Sequence, residues 1–488
     1  MKKTIALLLS LLLAVSCALP AFAEDSGAAE PAACEYPLII ARGMDFDGVY
    51  TNYGTPEETP CFRGVTVGGI LKTLGRTVKN ALTMGFSHGL AAAGVVYVQE
   101  ILGDMACDET GASVKEVGCD RYFGSMAEYP EFLAEVDEDE AKEPALARTA
   151  SEILGPENVY YYSYDYRLDP YELADELHDL IGLARSEHGG KKAVLVNCSM
   201  AGVITDCYLY KYGSEDFAKI VFLSSTFCGT DVTDEVLRGK VETSENMLAY
   251  FLETRLNLPF LAKLLRRSGL LGAVADWFNG FVEREYEYVF DAFLRPTFGT
   301  MLSVWANVQP ENVDAAIEYA FSTPELKEQY APLIEKIRRL QTVMEGRDTM
   351  LRALPENGVA VAVVAGYDTS AVPLYASAAL QADGILDSRW MFGGAETSEM
   401  GGSLGVSGPY VSPDGCVDLT DVLFPDYTWA IRDCGHVCVK YGSDCSDLIM
   451  RLILSDGQPT VYDFEEYPQF FTVDRKTENV IGEKKKPC

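Results

Sequence analysis

The sequence feature that most constrains the fold is the run AVLVNCSMAG at residues 193–202. Its apolar, β-rich first half predicts a buried strand, and the apolar positions from Val203 to Tyr210 have the spacing of a helix. Small residues around Ser199 allow the backbone to turn sharply between the two. We therefore interpret the run as a nucleophile elbow with Ser199 at the turn, where Gly202 lets the helix pack closely on the sheet.

The elbow geometry predicts a specific chemistry. A serine hydroxyl at a helix N-terminus can attack an acyl carbon if a histidine takes its proton, while the N–H of Met200 points at the developing oxyanion. The run departs from the usual G-x-S-x-G pattern because Asn197 and Ala201 occupy both glycine positions. A buried core serine is the alternative that this run alone leaves open.

The N-terminal residues have the three parts of an export signal. A basic start is followed by an apolar run from Ile5 to Val15, and then by Ala21-Phe-Ala23, which fits signal peptidase. We expect a signal peptide at residues 1–23 and a secreted protein that begins at Glu24. Lipidation at Cys17 is the alternative, although the residues before it fit a lipoprotein site poorly.

The charge of the chain narrows the range of partners. It has 40 basic and 73 acidic residues in 488, a formal net charge of −33, and the acidic residues are spread along its length. We therefore expect no nucleic-acid partner. An acidic surface disfavours tight binding to anionic lipid. We therefore expect a small-molecule or lipid ester substrate that binds as a single molecule or is electrically neutral.

The chain has 13 cysteines, and removal of the signal peptide with Cys17 would leave 12. An even number of cysteines in an exported protein permits disulfides. The spacing does not fix their pairing or show a zinc motif. Locally plausible pairs are Cys107 with Cys119, and combinations among Cys416, Cys434, Cys438 and Cys445.

Strand and helix signals alternate around the elbow. Residues 158–167 are β-rich, residues 170–188 form an amphipathic helix that a glycine pair stops, and residues 219–223 form another strand after the elbow helix. This order predicts an α/β fold with a mostly parallel sheet and flanking helices.

Residues 231–356 lack strand signals and carry amphipathic helices rich in leucine and aromatic residues. We predict a helical cap inserted into a core formed by residues 24–230 and 357–488. Such caps cover an elbow and form an apolar pocket. A helical subdomain with its own core is the alternative.

His436 is the candidate general base. Residues 427–436 predict a late core strand that leads into Gly435 and His436, in the order serine, acid, histidine. His88 lies instead in the uncharged, glycine- and alanine-rich stretch 81–99. We interpret that stretch as a helix buried in the fold or lining an acyl groove rather than a membrane span, with His88 as a satisfied buried histidine.

Three aspartates are candidates for the acid that orients the histidine. Asp383 and Asp414 both occur in an Asp-Gly-apolar pattern that is typical of the required loop, and Asp368 follows a strand directly. Asp414 has the more usual short distance to His436. We favour Asp383 because residues 408–413 can belong to an insertion.

Three segments together resemble a known family. Tyr164-Asp-Tyr-Arg-Leu168, the Asn-Cys-Ser-Met-Ala elbow and the segment from Ser225 to Thr230 are similar to the corresponding elements of lecithin:cholesterol-acyltransferase-like lipases. The similarity covers residues 37–440, with insertions. It implies an α/β-hydrolase fold, a Ser-acid-His triad and an acyl-ester substrate, with structural roles for Asp165 and Arg167.

The same resemblance suggests where the second oxyanion donor lies. Residues 36–44 predict a buried strand that ends in a glycine turn, where α/β-hydrolases place this donor. Arg42-Gly43 occupies the position of the usual His-Gly, so the N–H of Met44 is the candidate. An ordinary strand-to-loop turn is the alternative.

The leading hypothesis is a secreted serine hydrolase that cleaves or transfers an acyl group from a lipid or other apolar ester. The alternative is a non-catalytic ligand-binding or surface interaction protein on the same fold. The chain has no phosphate-binding glycine loop, metal-binding histidine cluster or nucleotide fingerprint, so we expect no cofactor.

Overall fold

The structure is a computed structural model that describes residues 36–46, 48–136, 143–436, 443–473 and 480–482. The expected signal peptide, its cleavage site and Cys17 lie outside the described residues, and so does Cys438. The strands, in chain order, are β1 (Leu38–Ala41), β2 (Tyr50–Thr51), β3 (Thr59–Pro60), β4 (Val117–Gly118), β5 (Val159–Tyr162), β6 (Ala193–Cys198), β7 (Phe217–Leu223), β8 (Ala360–Tyr367), β9 (Glu396–Thr397), β10 (Val417–Asp418), β11 (Thr428–Arg432), β12 (Phe470–Val473) and β13 (Val480–Gly482).

Helices of very different lengths connect these strands. They are α1 (Val67–Met84), α2 (Phe86–Leu102), α3 (Pro130–Glu135), α4 (Glu143–Leu154), α5 (Pro170–Glu187), α6 (Ala201–Tyr212), α7 (Asp231–Leu237), α8 (Glu245–Tyr250), α9 (Pro259–Arg267), α10 (Leu270–Val289), α11 (Arg295–Thr297), α12 (Leu302–Trp305), α13 (Val313–Ala320), α14 (Pro324–Gln329), α15 (Ala331–Glu356), α16 (Ser388–Met391) and α17 (Ser443–Leu454). Two π-helical turns, Phe251–Arg255 and Phe290–Leu294, follow α8 and α10.

The main sheet has the strand order β13-β12-β11-β8-β7-β6-β1-β5. Seven of its strands run parallel, and β13 pairs antiparallel with β12 at one edge. Both β6 and β8 are buried along their whole length, as expected for strands that are covered on both faces. The predicted α/β fold with a mostly parallel sheet and flanking helices is confirmed.

Alternate side chains of the strands pack on opposite sides of the sheet. Leu195 and Phe222 belong to a core that includes residues of α5, α6 and α15. Val196 and Val221 belong to a second core with residues of α4 and α17. Parallel strands need crossover connections, and the helices of these crossovers cover both faces.

Residues 231–356, which we predict to form the cap, contain only helices and turns apart from one bridging residue, Val241. The long helix α15 packs against α6, the helix that follows the elbow. The turn Phe251–Arg255 contacts the loop after β8, where Thr254 Oγ1 accepts a hydrogen bond of 2.9 Å from the N–H of Ser370. The helical segment therefore contacts both the elbow helix and the loop after β8.

The stretch 81–99 does not form one continuous helix. Gly85, at φ +79°, separates α1 from α2, and the two helices pack against each other as a hairpin. Ala91 and Ala93 are buried, whereas Val78 and Leu82 of α1 are exposed. Within the described ranges, no helix combines the length and apolarity needed to cross a bilayer.

Among the cysteine pairs suggested by the sequence, those whose members both lie in the described residues are not linked. Cys107 and Cys119 carry separate buried thiols, and so do Cys416 and Cys445. Burial raises the pKa of the Cys107 thiol to about 11, so it stays protonated near neutral pH. Cysteine spacing alone carries no information on the side-chain geometry that a disulfide requires.

Candidate active site

Ser199 occupies a strained turn between a strand and a helix. It lies between the end of β6 at Cys198 and the start of α6 at Ala201, with φ +51°. Such a conformation costs a non-glycine residue about 1–3 kcal/mol and persists only where the surroundings enforce it. Here the Ser199 N–H donates to the Leu223 carbonyl (3.2 Å), and the Ser199 carbonyl accepts from the Thr226 N–H (2.9 Å).

Close approaches at the turn require glycine at two positions. A Cβ on Gly202 would lie 2.5 Å from the backbone nitrogen of Phe227, and a Cβ on Gly43 would lie 2.6 Å from Ser199 Cβ. Asn197 and Ala201 are both fully buried and are accommodated at the usual glycine positions. The missing glycines of the sequence pattern therefore do not prevent the sharp turn.

Hydrogen bonds connect the serine, a histidine and an aspartate in a line. Ser199 Oγ lies 3.0 Å from His436 Nε2, and His436 Nδ1 lies 2.6 Å from Asp383 Oδ2. The exposed fractions of the three residues are 9%, 6% and 0%. A carboxylate on Nδ1 fixes the tautomer that carries the proton there, so the lone pair of Nε2 faces the serine hydroxyl and can accept its proton.

The sheet brings these residues together because each follows a parallel strand at its carboxyl end. Ser199 follows β6, Asp383 lies in the excursion after β8, and His436 follows β11, which is hydrogen-bonded to β8. The N–H of His436 also donates to the Asp383 carbonyl at 2.7 Å. In open α/β sheets, ligands bind at this edge.

Both carboxylate oxygens of Asp383 are held in place. Oδ2 contacts His436, and Oδ1 accepts from the backbone N–H groups of Ile385 (3.1 Å) and Leu386 (2.9 Å). The Thr369 N–H donates to the Ala382 carbonyl at 2.9 Å and ties this loop to the end of β8. The aspartate is therefore oriented by its own loop before it contacts the histidine.

The other two candidate acids have a different partner. Arg432 Nε lies 2.8 Å from Asp368 Oδ2 and 3.3 Å from Asp414 Oδ2. Asp414 Oδ1 accepts from the Cys416 N–H at 3.0 Å. Among the three aspartates, the structure places Asp383 against His436 and places Asp368 and Asp414 around Arg432.

The remaining histidines are engaged away from Ser199. His88 Nδ1 lies 2.9 Å from Glu285 Oε2, so the hairpin residue contacts α10, and its side chain is 39% exposed rather than buried. His178 Nδ1 lies 3.1 Å from the Tyr208 hydroxyl, and His188 Nε2 lies 3.0 Å from Asn158 Oδ1. His436 is the histidine that the fold brings to Ser199.

The loop after β1 lies opposite Ser199. The Tyr164 hydroxyl donates to the Arg42 carbonyl (2.8 Å), and the Arg42 guanidinium donates to the Tyr164 carbonyl (2.7 Å). Burial raises the pKa of the Tyr164 phenol, which keeps it a donor. These bonds fix Gly43 against Ser199, with Met44 next along the chain and Met200 directly after the serine at the start of α6.

Two contacts beside Ser199 were missed by sequence reasoning. The sequence predicts Gly43 as the glycine turn before the candidate donor Met44, and the structure also places it against the serine, where a Cβ would lie 2.6 Å from Ser199 Cβ. Its N–H donates to Glu143 Oε1 at 3.2 Å, so a carboxylate from the first turn of α4 reaches the same place. No local pattern connects these two positions, which are 100 residues apart.

The buried Asp165–Arg167 pair interacts mainly with itself and its supporting loop. Arg167 Nε and Nη2 donate to the two Asp165 oxygens at 2.9 and 2.6 Å. Arg167 also donates to the Met105 carbonyl (3.2 Å) and to Ser113 Oγ (3.0 Å). These contacts connect the tyrosine-rich segment after β5 with residues 105–113.

Two open cavities lie beside the small β2-β3-β4 sheet and not at the triad. Their volumes are about 440 and 370 Å³, and polar residues such as Arg63, Lys115 and Arg121 line them.

In the part of the chain that the structure describes, no group of histidine, cysteine and carboxylate side chains is placed to hold a metal ion. Comparisons of the chain with family models, curated proteins and solved structures find no match.

Proposed function

We propose that this chain is a secreted serine hydrolase with an α/β-hydrolase fold, which cleaves or transfers the acyl group of an ester. The observation that carries the proposal is the hydrogen-bonded line from Ser199 through His436 to Asp383, at a strained turn after a parallel strand. Nucleophile, base and orienting acid within hydrogen-bond distance are the signature of nucleophilic acyl transfer.

The proposed reaction proceeds through an acyl-enzyme. His436 Nε2 takes the Ser199 proton as Oγ attacks the ester carbonyl, and Asp383 stabilises the imidazolium that forms. The N–H groups of Met200 and of Met44, in the loop after β1, stabilise the oxyanion. The imidazolium then protonates the leaving alcohol, and water or a second alcohol takes the acyl group from Ser199.

Exposed apolar helix faces support an apolar substrate. Val67, Leu71, Val78 and Leu82 lie along one face of α1 and are 62–84% exposed. Phe260 and Leu264 of α9 are 80% and 54% exposed. Surfaces of this kind mark contacts with other apolar groups, so we propose a lipid or another apolar acyl ester as the substrate class.

The alternative function is a non-catalytic ligand-binding protein on the same scaffold. The observation that favours it is the Glu143 carboxylate on the Gly43 N–H, because a negative charge beside Ser199 opposes formation of an oxyanion there. Covalent labelling distinguishes the two functions, since only an activated serine reacts with a fluorophosphonate.

The proposal is tested on the mature protein with a fluorophosphonate probe and a series of p-nitrophenyl esters from two to twelve acyl carbons. We expect stoichiometric labelling of Ser199, and kcat/KM that rises with chain length because each buried methylene contributes about 0.8 kcal/mol. A protein that folds yet neither takes the label nor hydrolyses any ester would be a binding protein instead.

The identity of the acid gives a second test. Asp383→Asn should lower kcat by about 10⁴-fold, because the amide no longer holds the imidazole in the required tautomer. Asp414→Asn is the matched control, since Asp414 pairs with Arg432, and it should retain the wild-type kcat. Rates are compared after circular dichroism shows both variants folded. Equal losses in the two variants would contradict the assignment of Asp383.

A further inference from the structure

Asp387 connects the excursion after β8 to α7, the first helix of the segment 231–356. Its Oδ2 accepts a hydrogen bond of 2.8 Å from the N–H of Asp231, which begins α7, and its Oδ1 accepts one of 3.0 Å from the Tyr375 hydroxyl. The exposed fractions of Asp387 and Asp231 are 1% and 2%. The Asp387 carboxyl group is therefore held from two sides inside the fold.

The loop that ends at Asp387 also holds the triad acid. Ala382 and Asp387 form an antiparallel bridge that closes this loop around Asp383. Inside it, the Asp383 N–H donates to the Leu386 carbonyl at 3.1 Å, and the Leu386 N–H donates to Asp383 Oδ1 at 2.9 Å. Contacts that fix Asp387 therefore fix the backbone that orients the Asp383 carboxylate.

Arg389 compensates the charge of Asp231. Its Nε donates to Asp231 Oδ2 at 2.8 Å and its Nη2 donates to Oδ1 at 2.5 Å, while the Trp390 indole N–H donates to Oδ1 at 2.9 Å. Burial disfavours the charge of this guanidinium, but its hydrogen bond to Asp231 and the charges of three nearby carboxylates raise its pKa; these carboxylates are Asp231, Asp387 and Glu235. Three carboxylates therefore face one guanidinium, whose hydrogen bonds go to Asp231.

Other charged groups around this cluster have partners of their own or face solvent. On α7, Asp234 pairs with Arg238, and Glu235 Oε1 accepts from Ser377 Oγ at 2.6 Å. Further charged side chains on neighbouring elements are Glu245 of α8, which faces Gly272, Arg255, which packs on Gly384, and the exposed Lys240, Glu242 and Glu399. The direct donors to Asp387 are a backbone N–H and a phenol, neither of which carries a charge.

A carboxyl group in these surroundings keeps its proton near neutral pH. Burial and the charge of Asp231 raise the pKa of Asp387 to about 8, although its two hydrogen bonds and the charge of Arg389 oppose the shift. A protonated carboxyl group still accepts both hydrogen bonds, and it places no second negative charge beside Asp231. Loss of this proton at alkaline pH sets two buried carboxylates against each other at the base of the Asp383 loop.

We propose that Asp387 is a positioning residue for the triad, which holds the loop of Asp383 against the first turn of α7 while it carries a proton. This inference rests on the proposed acyl-transfer function of Ser199. Asp387 acts through Asp383, because the loop between them sets where the Asp383 carboxylate meets His436 Nδ1. The triad should therefore work best below the pH at which Asp387 ionises, and turnover should fall above it.

The test is the pH dependence of kcat and KM for a p-nitrophenyl ester, with the spontaneous hydrolysis subtracted. It compares the wild type with Asp387→Asn, Asp387→Ala and Asp421→Asn. Asparagine is neutral at every pH and still offers an acceptor to the Asp231 N–H, so it imitates the protonated aspartate, whereas alanine removes both hydrogen bonds. Asp421 is exposed and lies in the same excursion between β8 and β11, so it is a matched charge control.

We expect kcat of the wild type and of Asp421→Asn to fall by about tenfold or more between pH 7 and pH 10, with little change in KM. Asp387→Asn should keep its pH 7 value of kcat throughout. Asp387→Ala should have a kcat that is lower by up to about 100-fold at pH 7, because the Asp383 loop loses both of its anchors. Circular dichroism at each pH shows whether the proteins are folded.

Urea denaturation gives a readout of the proton that does not depend on catalysis. An unfolded aspartate ionises near pH 4, whereas folded Asp387 ionises near pH 8. This group therefore lowers the free energy of unfolding progressively as the pH rises from about 4 to about 8. The urea midpoint of Asp387→Asn should exceed that of the wild type at pH 8 and approach it at pH 4.

A wild-type kcat that stays level to pH 10, or an alkaline fall that persists in Asp387→Asn, would overturn the role of Asp387 and leave the proposed hydrolase intact. Absence of both ester hydrolysis and fluorophosphonate labelling in the wild type would overturn the two proposals together. If Asp387→Ala does not fold, the comparison of the wild type with Asp387→Asn decides the question, because a merely structural residue would not move the pH profile of a folded enzyme.

Discussion

Ser199→Ala is expected to lower turnover of p-nitrophenyl esters by about a millionfold and to abolish fluorophosphonate labelling. Triad residues act as a unit, and loss of the nucleophile removes the acyl-enzyme route altogether. The free energy of unfolding should change by no more than about 1 kcal/mol, because the lost contact is one hydrogen bond to His436. Turnover, labelling and urea denaturation together measure these effects.

Ser225→Ala is the matched control for this experiment. The described residues offer its buried hydroxyl no hydrogen-bond partner, and it lies close to the elbow beside Gly202. It should keep both activity and label, since it removes a serine hydroxyl from the same region without touching the triad. If Ser199→Ala keeps its activity and label while losing stability, Ser199 is a core serine and the hydrolase proposal fails.

The parts of this fold that the sequence predicts are those with local signals. The buried strand before Ser199 and the late strand before His436 are short apolar runs bounded by turns, and a parallel sheet brings their carboxyl ends to one edge. The choice between Asp383 and Asp414 has no such signal, because both occur in Asp-Gly turns. It depends on which loop folds back onto His436, a contact across 53 residues.

Other features follow from tertiary contacts that no window of sequence contains. Glu143 reaches Gly43 because α4 packs on the sheet beside β5, and neither residue carries a motif that points to the other. In the stretch 81–99, the hydrophobicity predicts a buried helix. Because many of its residues are small and Gly85 interrupts it, the sequence does not define which helix face is buried or how long the helix is. In the structure, α1 and α2 pack on each other, and α2 also packs against α10.

His436→Ala is the second change for which we expect a very large effect. Without the imidazole, Ser199 remains a neutral hydroxyl near pH 7, and the group that would protonate the leaving alcohol is lost. Loss of the base alone costs such triads about as much as loss of the nucleophile, so turnover should fall by about a millionfold. Fluorophosphonate labelling should slow in parallel, because the probe needs the same activated oxygen.

His88→Ala distinguishes the loss of the base from the loss of any histidine. His88 contacts Glu285 and Tyr288 on α10, so its removal should loosen the hairpin and leave turnover within a fewfold of the wild type. Rates are measured with a short p-nitrophenyl ester, which does not depend on an apolar surface for binding. If His436→Ala is active and His88→Ala is not, the base belongs to the hairpin. The contact of 3.0 Å between Ser199 Oγ and His436 Nε2 would then be structural.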